Sequence, residues 1–211
     1  MARQKTINIA PAAASLTGFA SNVTGASFTL TANDSGDSLA HQVSIRNDTA
    51  NDHSGKTVTL VGTDADGQAL TEVVTGPGVS ATVESAQYFL TLTSATPSAT
   101  IGGDTFDIGW VDEVSTQTIP MDFYASTAPL VAVDVVGTIN FTVQETHQDV
   151  LGTTSPVQNV TWVNITALAS KTIDTTDFAT QAATGLRVLV NSYSTSATLQ
   201  IDMHQGVRGA S

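Results

Sequence analysis

Asp64, Asp66 and Gly67, in the run Asp64-Ala-Asp-Gly67, have the opening spacing of a calcium loop. In such a loop, alternate carboxylates converge on the cation and a glycine makes the sharp turn. The rest of the loop is missing. Gln68 stands fifth, Ala69 stands sixth where the glycine belongs, and Thr75 stands twelfth in place of a bidentate Glu. A turn between two strands accounts for the same residues, because Asp accepts local backbone hydrogen bonds and Gly supplies positive φ. No metal site is assigned here. Asp104 with Asp107, or Asp112 with Glu113, would hold a surface cation only with partners that the sequence does not reveal. The histidines His41, His53, His147 and His204 form no His-x-His or HExxH pair and read as structural, exposed or hydrogen-bonded. No G-x-S-x-G elbow, phosphate-binding loop or dinucleotide fingerprint occurs. Nothing points to paired carboxylates for glycoside hydrolysis or to a nucleophilic triad. The reading is a non-enzyme with no catalytic residues and no cofactor.

Composition narrows the partners. Net charge is −12 with only seven Lys plus Arg in 211 residues, so no basic stripe exists to neutralise phosphates and no nucleic-acid role is assigned. No apolar run approaches the ~20 residues that span a bilayer, so no membrane role is assigned either. Cysteine is absent, which excludes disulfides and thiolate metal sites. The opening Met-Ala-Arg-Gln-Lys5 is positive, but Asn8 and Pro11 interrupt the next residues, and Ala12–Ala14 is too short for the apolar region of an export signal. Five Asn-x-Thr matches, at Asn22, Asn47, Asn140, Asn159 and Asn164, are what chance yields in so Thr-rich a chain. Tyr88, Phe89, Trp110, Phe123, Tyr124 and Trp162 read as core or subunit-interface anchors rather than as a sugar-stacking platform.

The elements that position these residues are strands. Val58 and Leu60 alternate with Thr57 and Thr59, and Leu70–Thr75 comes after the Asp64–Gly67 turn before Gly76-Pro-Gly78 breaks the chain. That is a β-hairpin. Further strands are predicted at 28–31, 41–46, 79–83, 88–93, 105–108, 119–123, 130–136, 139–146, 160–165, 186–191 and 197–203. The Ala-rich run 177–184 is predicted as a helical turn. Strands at intervals of about 8–12 residues without a helical period define an all-β fold of two antiparallel β-sandwich halves, Ig-like or jelly-roll-like, with very little helix. The expected division is an N-terminal arm over 1–20, one sandwich over 21–115 and a second over 116–211. The boundary falls where Val111–Thr118 interrupts the strand rhythm with two acids, Asp112 and Glu113.

Two passages together resemble structural proteins of tailed bacteriophages. One is the hairpin TVTLVGTDADGQALTEVVTGPG with the aromatic strand Gln87–Ser94 after it. The other is Thr118–Tyr124, then VAVDVVGTINFTVQET, then Leu186–Gly206, which is similar to the C-terminal sandwich of the same proteins. The resemblance implies a virion component, and by analogy with small all-β head proteins a capsid cement or decoration subunit. It leaves a tail or head–tail role (tube, nozzle or fibre base) open, and an adhesin that grips carbohydrate stands behind both. Implied with it are assembly in the bacterial cytoplasm, residence on the capsid surface, the major capsid protein or other virion proteins as partners, and a homo-oligomer, a trimer by capsid symmetry. The contact residues expected are Arg3 and Lys5 of the arm, with Trp110, Phe123 and Tyr124 between the sandwiches.

Overall fold

A computed structural model of the chain describes residues 3–122, 127–150, 160–180 and 183–205. The fold is all-β and antiparallel, in two compact units. One comprises residues 12–114; the other joins residues 1–11 to 115–211.

The first unit holds β2 (Ser15–Val23), β3 (Ala40–Asn47), β4 (Thr57–Thr63), β5 (Ala69–Thr75), β6 (Thr82–Phe89), β7 (Thr91–Pro97) and β8 (Phe106–Ser115). One sheet runs β5-β4-β7; the other runs β8-β3-β6, with β2 on β8. The hairpin read from residues 57–75 is present, in register from Thr57 opposite Thr75 to Thr63 opposite Ala69. Its period-two pattern buries Val58, Leu60, Leu70 and Val74. These pack with Phe19, Val43, Ile45, Phe89, Leu92, Phe106, Ile108 and Trp110 of both sheets in one core. Each such side chain contributes roughly 1.5–3 kcal/mol on burial.

The second unit holds β1 (Arg3–Ile9), β9 (Ile119–Pro120), β10 (Leu130–Val136), β11 (Ile139–Thr146), β12 (Val163–Asn164), β13 (Thr175–Phe178), β14 (Gly185–Tyr193) and β15 (Thr198–Gln205). One of its sheets is β1-β15-β10-β13; in the other, β11 lies between β12 and β14, and β9 pairs with β14. The facing interiors bury Ile9, Val131, Val133, Leu199, Ile201 and Met203 from the first sheet. Phe141, Val143, Leu186, Val188 and Val190 are buried from the second.

Several expectations change. The segment 1–20 carries strands rather than a free arm: β1 pairs along its whole length with β15, from Arg3 opposite Gln205 to Ile9 opposite Leu199. Residues 28–31 make only one bridge, Phe28 to Ala95. The stretch 88–93 is not one strand. The chain changes sheets at Leu90, so that β6 pairs with β3 while β7 pairs with β4. The acids of 111–115 do not interrupt a strand either, because β8 continues to Ser115 with Asp112 exposed and Val114 buried. Strand 79–83 starts later, at Thr82, after Ser80 takes a positive φ of 47°. Residues 160–165 contribute only the two-residue β12. Phe178, expected in a helical turn, ends β13, and Gln181 and Ala182 lie outside the described residues. The helical content among the described residues is a 3₁₀ turn at Thr166–Leu168.

Candidate functional site

The polar residues of 12–114 are grouped into three ionic clusters, each holding loops in place. In the first, the Asp37 carboxylate accepts from His41 Nε2 at 2.8 Å, the Ala12 amide at 2.6 Å, the Ser35 hydroxyl at 2.6 Å and the Leu39 amide at 3.0 Å. His41 and Asp37 side chains are only 1% and 6% exposed. Burial pushes the Asp37 carboxyl up. The bonds from His41, Ala12 and Ser35 together outweigh it and hold the group far below the ordinary carboxylate value. Ser, His and Asp meet here, but in an order that does not activate a nucleophile. The Ser35 hydroxyl is bonded to the carboxylate, and the second imidazole nitrogen, Nδ1, faces the Val111 carbonyl at 3.2 Å.

In the second cluster, His53 Nε2 contacts Asp104 at 2.9 Å, and Lys56 Nζ donates to His53 Nδ1 at 3.0 Å and to the Thr100 carbonyl at 2.8 Å. Asn51 donates to both Asp104 oxygens at 2.9 and 3.0 Å, and this leads the causes that lower the Asp104 carboxyl. His53 also meets the Phe106 ring edge-on at 5.1 Å. The loop before β4 is thereby tied to the loop before β8. In the third, Arg46 donates to Asp107 at 2.6 Å and Asp48 at 2.9 Å, while the Asn22 amide donates to Asp107 at 2.8 Å. His41 and His53 are thus buried structural groups. The Asp64 turn is spent on its own backbone as well: its carboxylate accepts from the Asp66 and Gln68 amides at 2.9 and 2.8 Å, and Gly67 takes a φ of 75°.

A surface with unspent binding capacity lies in the second unit. A cavity of about 490 Å³ is lined by Gln4, Lys5, Ile119, Pro120, Met121, Met203 and Gln205. Alternation along β1 places Lys5 on the same face as Ile7 and Ile9, opposite Met203. Lys5 is therefore the charged residue of an inward-facing row at a sheet edge, a position where charge also discourages unwanted strand pairing. The Gln205 amide fixes the far wall by accepting from the Asp122 amide at 2.8 Å and donating to the Asp122 carbonyl at 3.0 Å. Apolar walls with an ammonium at one side suit a partner's apolar side chain with an acceptor or carboxylate next to it. Exposed apolar groups lie elsewhere on the same unit, with Ile173 69%, Val136 62% and Phe178 58% accessible.

Of the residues expected to contact partners, Lys5 lines this cavity and Arg3 begins β1 opposite Gln205. Trp110 is packed inside the 12–114 unit instead of standing exposed. It is 9% exposed, donates through its indole N–H to the Ala13 carbonyl at 3.0 Å, and meets Phe19 edge-on at 5.0 Å. Its indole covers Gly18 so closely that a β-carbon there would sit 2.0 Å from the ring. Phe123 and Tyr124 lie outside the described residues. Sequence reasoning missed Met121 and Gln205. Alternation through Leu199, Ile201 and Met203 points inward, and carrying it one step further reaches Gln205.

No family model matches the chain. No curated protein matches it. Among solved structures it is similar to the major capsid protein P2 from bacteriophage PM2, at 9% identity over 98% of each chain with a TM-score of 0.20. A likeness at that TM-score carries no argument about this chain.

Proposed function

We propose that the chain is a non-enzymatic structural subunit of a tailed-phage virion, a capsid cement or decoration protein that bridges neighbouring capsid subunits. The resemblance of the 57–94 and 118–206 passages to phage structural proteins supports this reading. The observation that carries it from the structure is the division of labour among side chains. The described histidine–carboxylate and Arg–Asp clusters are spent on holding loops, whereas the Lys5 cavity and the apolar groups Ile173, Val136 and Phe178 stand open. Such a surface binds rather than catalyses. Each bound copy stabilises the shell by mass action, because it binds the assembled state and not the dissociated one. The partners on this reading are virion proteins and further copies of the chain, arranged as a cyclic oligomer, a trimer where a capsid three-fold axis is occupied. Nucleic acid and membrane are not partners, and no cofactor takes part.

The test is co-sedimentation of the purified protein with capsids stripped of accessory subunits. Saturable binding is the expected result, weakened at least tenfold by Lys5→Glu. Protein that stays in the supernatant at every concentration overturns the proposal.

A further inference from the structure

We infer that β1 is an exchange strand: in the assembled protein it completes the β1-β15-β10-β13 sheet of a second copy of this chain instead of its own. The inference does not depend on where the assembly resides.

Four observations converge on it. Among the described residues β1 is an edge strand, bonded on one side only, to β15. It belongs to the second unit, while the chain directly after it enters the first and returns only at Ser115. The pairing of Arg3 with Gln205 therefore joins the two ends of the described chain, with the whole 12–114 unit between them in sequence. The strand is also held mainly by its backbone ladder, since Gln4, Lys5, Thr6 and Asn8 are exposed, Ile7 is half-buried, and among its described side chains only Ile9 is fully buried. A ladder of this kind is satisfied equally by the β15 of any copy.

The hinge is the fourth observation. Ile9 is the last ladder residue. From Ala12 onward the backbone is held by the first unit, through the Ala12 amide on Asp37 and the Ala13 carbonyl on the Trp110 indole. Only Ala10 and Pro11 lie between. Proline fixes its own φ and keeps the residue before it extended. Short hinges that resist folding back favour exchange of an identical element between copies. Because each copy both donates β1 and receives one on β15, exchange links copies into a ring or a chain.

Thr6 and Asp202 stand opposite each other in the ladder, bridged by a hydrogen bond from the Thr6 hydroxyl to the Asp202 carboxylate. The native chain has no cysteine, so cysteines placed there report the pairing without background. Copies carrying Thr6→Cys and copies carrying Asp202→Cys, with tags of different size, are refolded together and bridged with a short bis-maleimide. Exchange produces a covalent band at the summed mass of the two tagged chains, absent when either variant is treated alone. The double variant then yields multimers rather than crosslinked single chains. Asn8→Cys with Gln200→Cys repeats the measurement one row along should the first pair perturb folding. A second readout lengthens the hinge: inserting Gly-Gly-Ser-Gly-Gly-Ser after Ala10 shifts the elution of the protein toward the single-chain mass. Crosslinking confined to single chains in the double variant, with no mixed band, overturns the inference. So does an unchanged elution after hinge insertion.

Discussion

Replacing Asp37 with Asn keeps the shape of the side chain and removes its charge. The carboxylate accepts four hydrogen bonds, from His41, Ala12, Ser35 and Leu39, in a site where it is 6% exposed. An amide keeps one acceptor oxygen and turns its other position into a donor facing donors. His41, 1% exposed, loses its only carboxylate in this cluster. Breaking a buried pair in this way costs about 3 kcal/mol. For a unit of this size the midpoint then falls by about 12 °C, at roughly 4 °C per kcal/mol. The pH dependence has a definite sign. The folded-state carboxyl lies below its unfolded value of 3.8, so its stabilisation is fully present above that value and is lost as pH falls through the folded value. Calorimetric melting of parent and Asp37→Asn at neutral pH and down the acid limb measures both effects. The gap between the two proteins is widest at neutral pH and narrows below about pH 4. A variant that melts within a few degrees of the parent at neutral pH, or a gap that widens in acid, refutes the assignment.

Other outcomes rest on the same geometry. Gly18→Ala forces a β-carbon to within 2.0 Å of the Trp110 ring and destabilises the 12–114 unit by about 1–3 kcal/mol, read as an earlier urea midpoint. Trp110→Ala costs about 3–5 kcal/mol by the same measurement. Because Trp110 is buried, any effect of its replacement on the proposed capsid binding tracks unfolding instead of a lost contact. Asp64→Ala frees two amides of the hairpin turn and lowers stability by about 1–3 kcal/mol, with calcium and chelator leaving the melting curve of either protein unmoved. Glu113, half-buried, has its carboxyl raised by burial and by neighbouring Glu84 and Asp112. Its charge therefore opposes folding fully above the raised folded value, and the penalty fades as pH falls from there to the ordinary value of 4.5. Glu113→Gln stabilises the unit at neutral pH and loses that advantage in acid.

The fold was legible where one face of a strand is apolar and the other polar. Val58, Leu60, Leu70 and Val74 declare the hairpin in this way, and β10 and β11 have the bounds read from residues 130–136 and 139–146. β1 escaped because its inward row is Lys5, Ile7 and Ile9, so that charge occupies a position where apolarity would signal a strand. β2 escaped because its pairing with β8 shifts register between Ser15 and Ala20 and again before Val23, which destroys the period of two. The sheet change at Leu90 leaves no mark on a continuous β-rich run. Neither does Asp37 beside His41. They sit four residues apart, across a turn into β3, and nothing local predicts that Val111 and Ala12 complete their cluster. Of the expected contact residues, Lys5 was singled out by its charge and lines the cavity of the second unit. The burial of Trp110 against Gly18 was not legible, because an aromatic near a domain boundary looks the same in sequence whether it packs inward or faces outward.

One consequence concerns how binding is probed. Deleting residues 1–10 removes a full strand of the β15 sheet and leaves that edge unpaired, so loss of binding by the deletion confounds contact with folding. Lys5→Glu leaves the ladder intact and is the cleaner perturbation.

The central proposal, a structural subunit of a virion, is tested most directly by gold-labelled antibody against this protein on negatively stained particles of a tailed phage whose genome carries this sequence. The account predicts label scattered over the head at many copies per particle. Intact particles that carry no label contradict it, and label confined to the tail or vertex rejects the cement role.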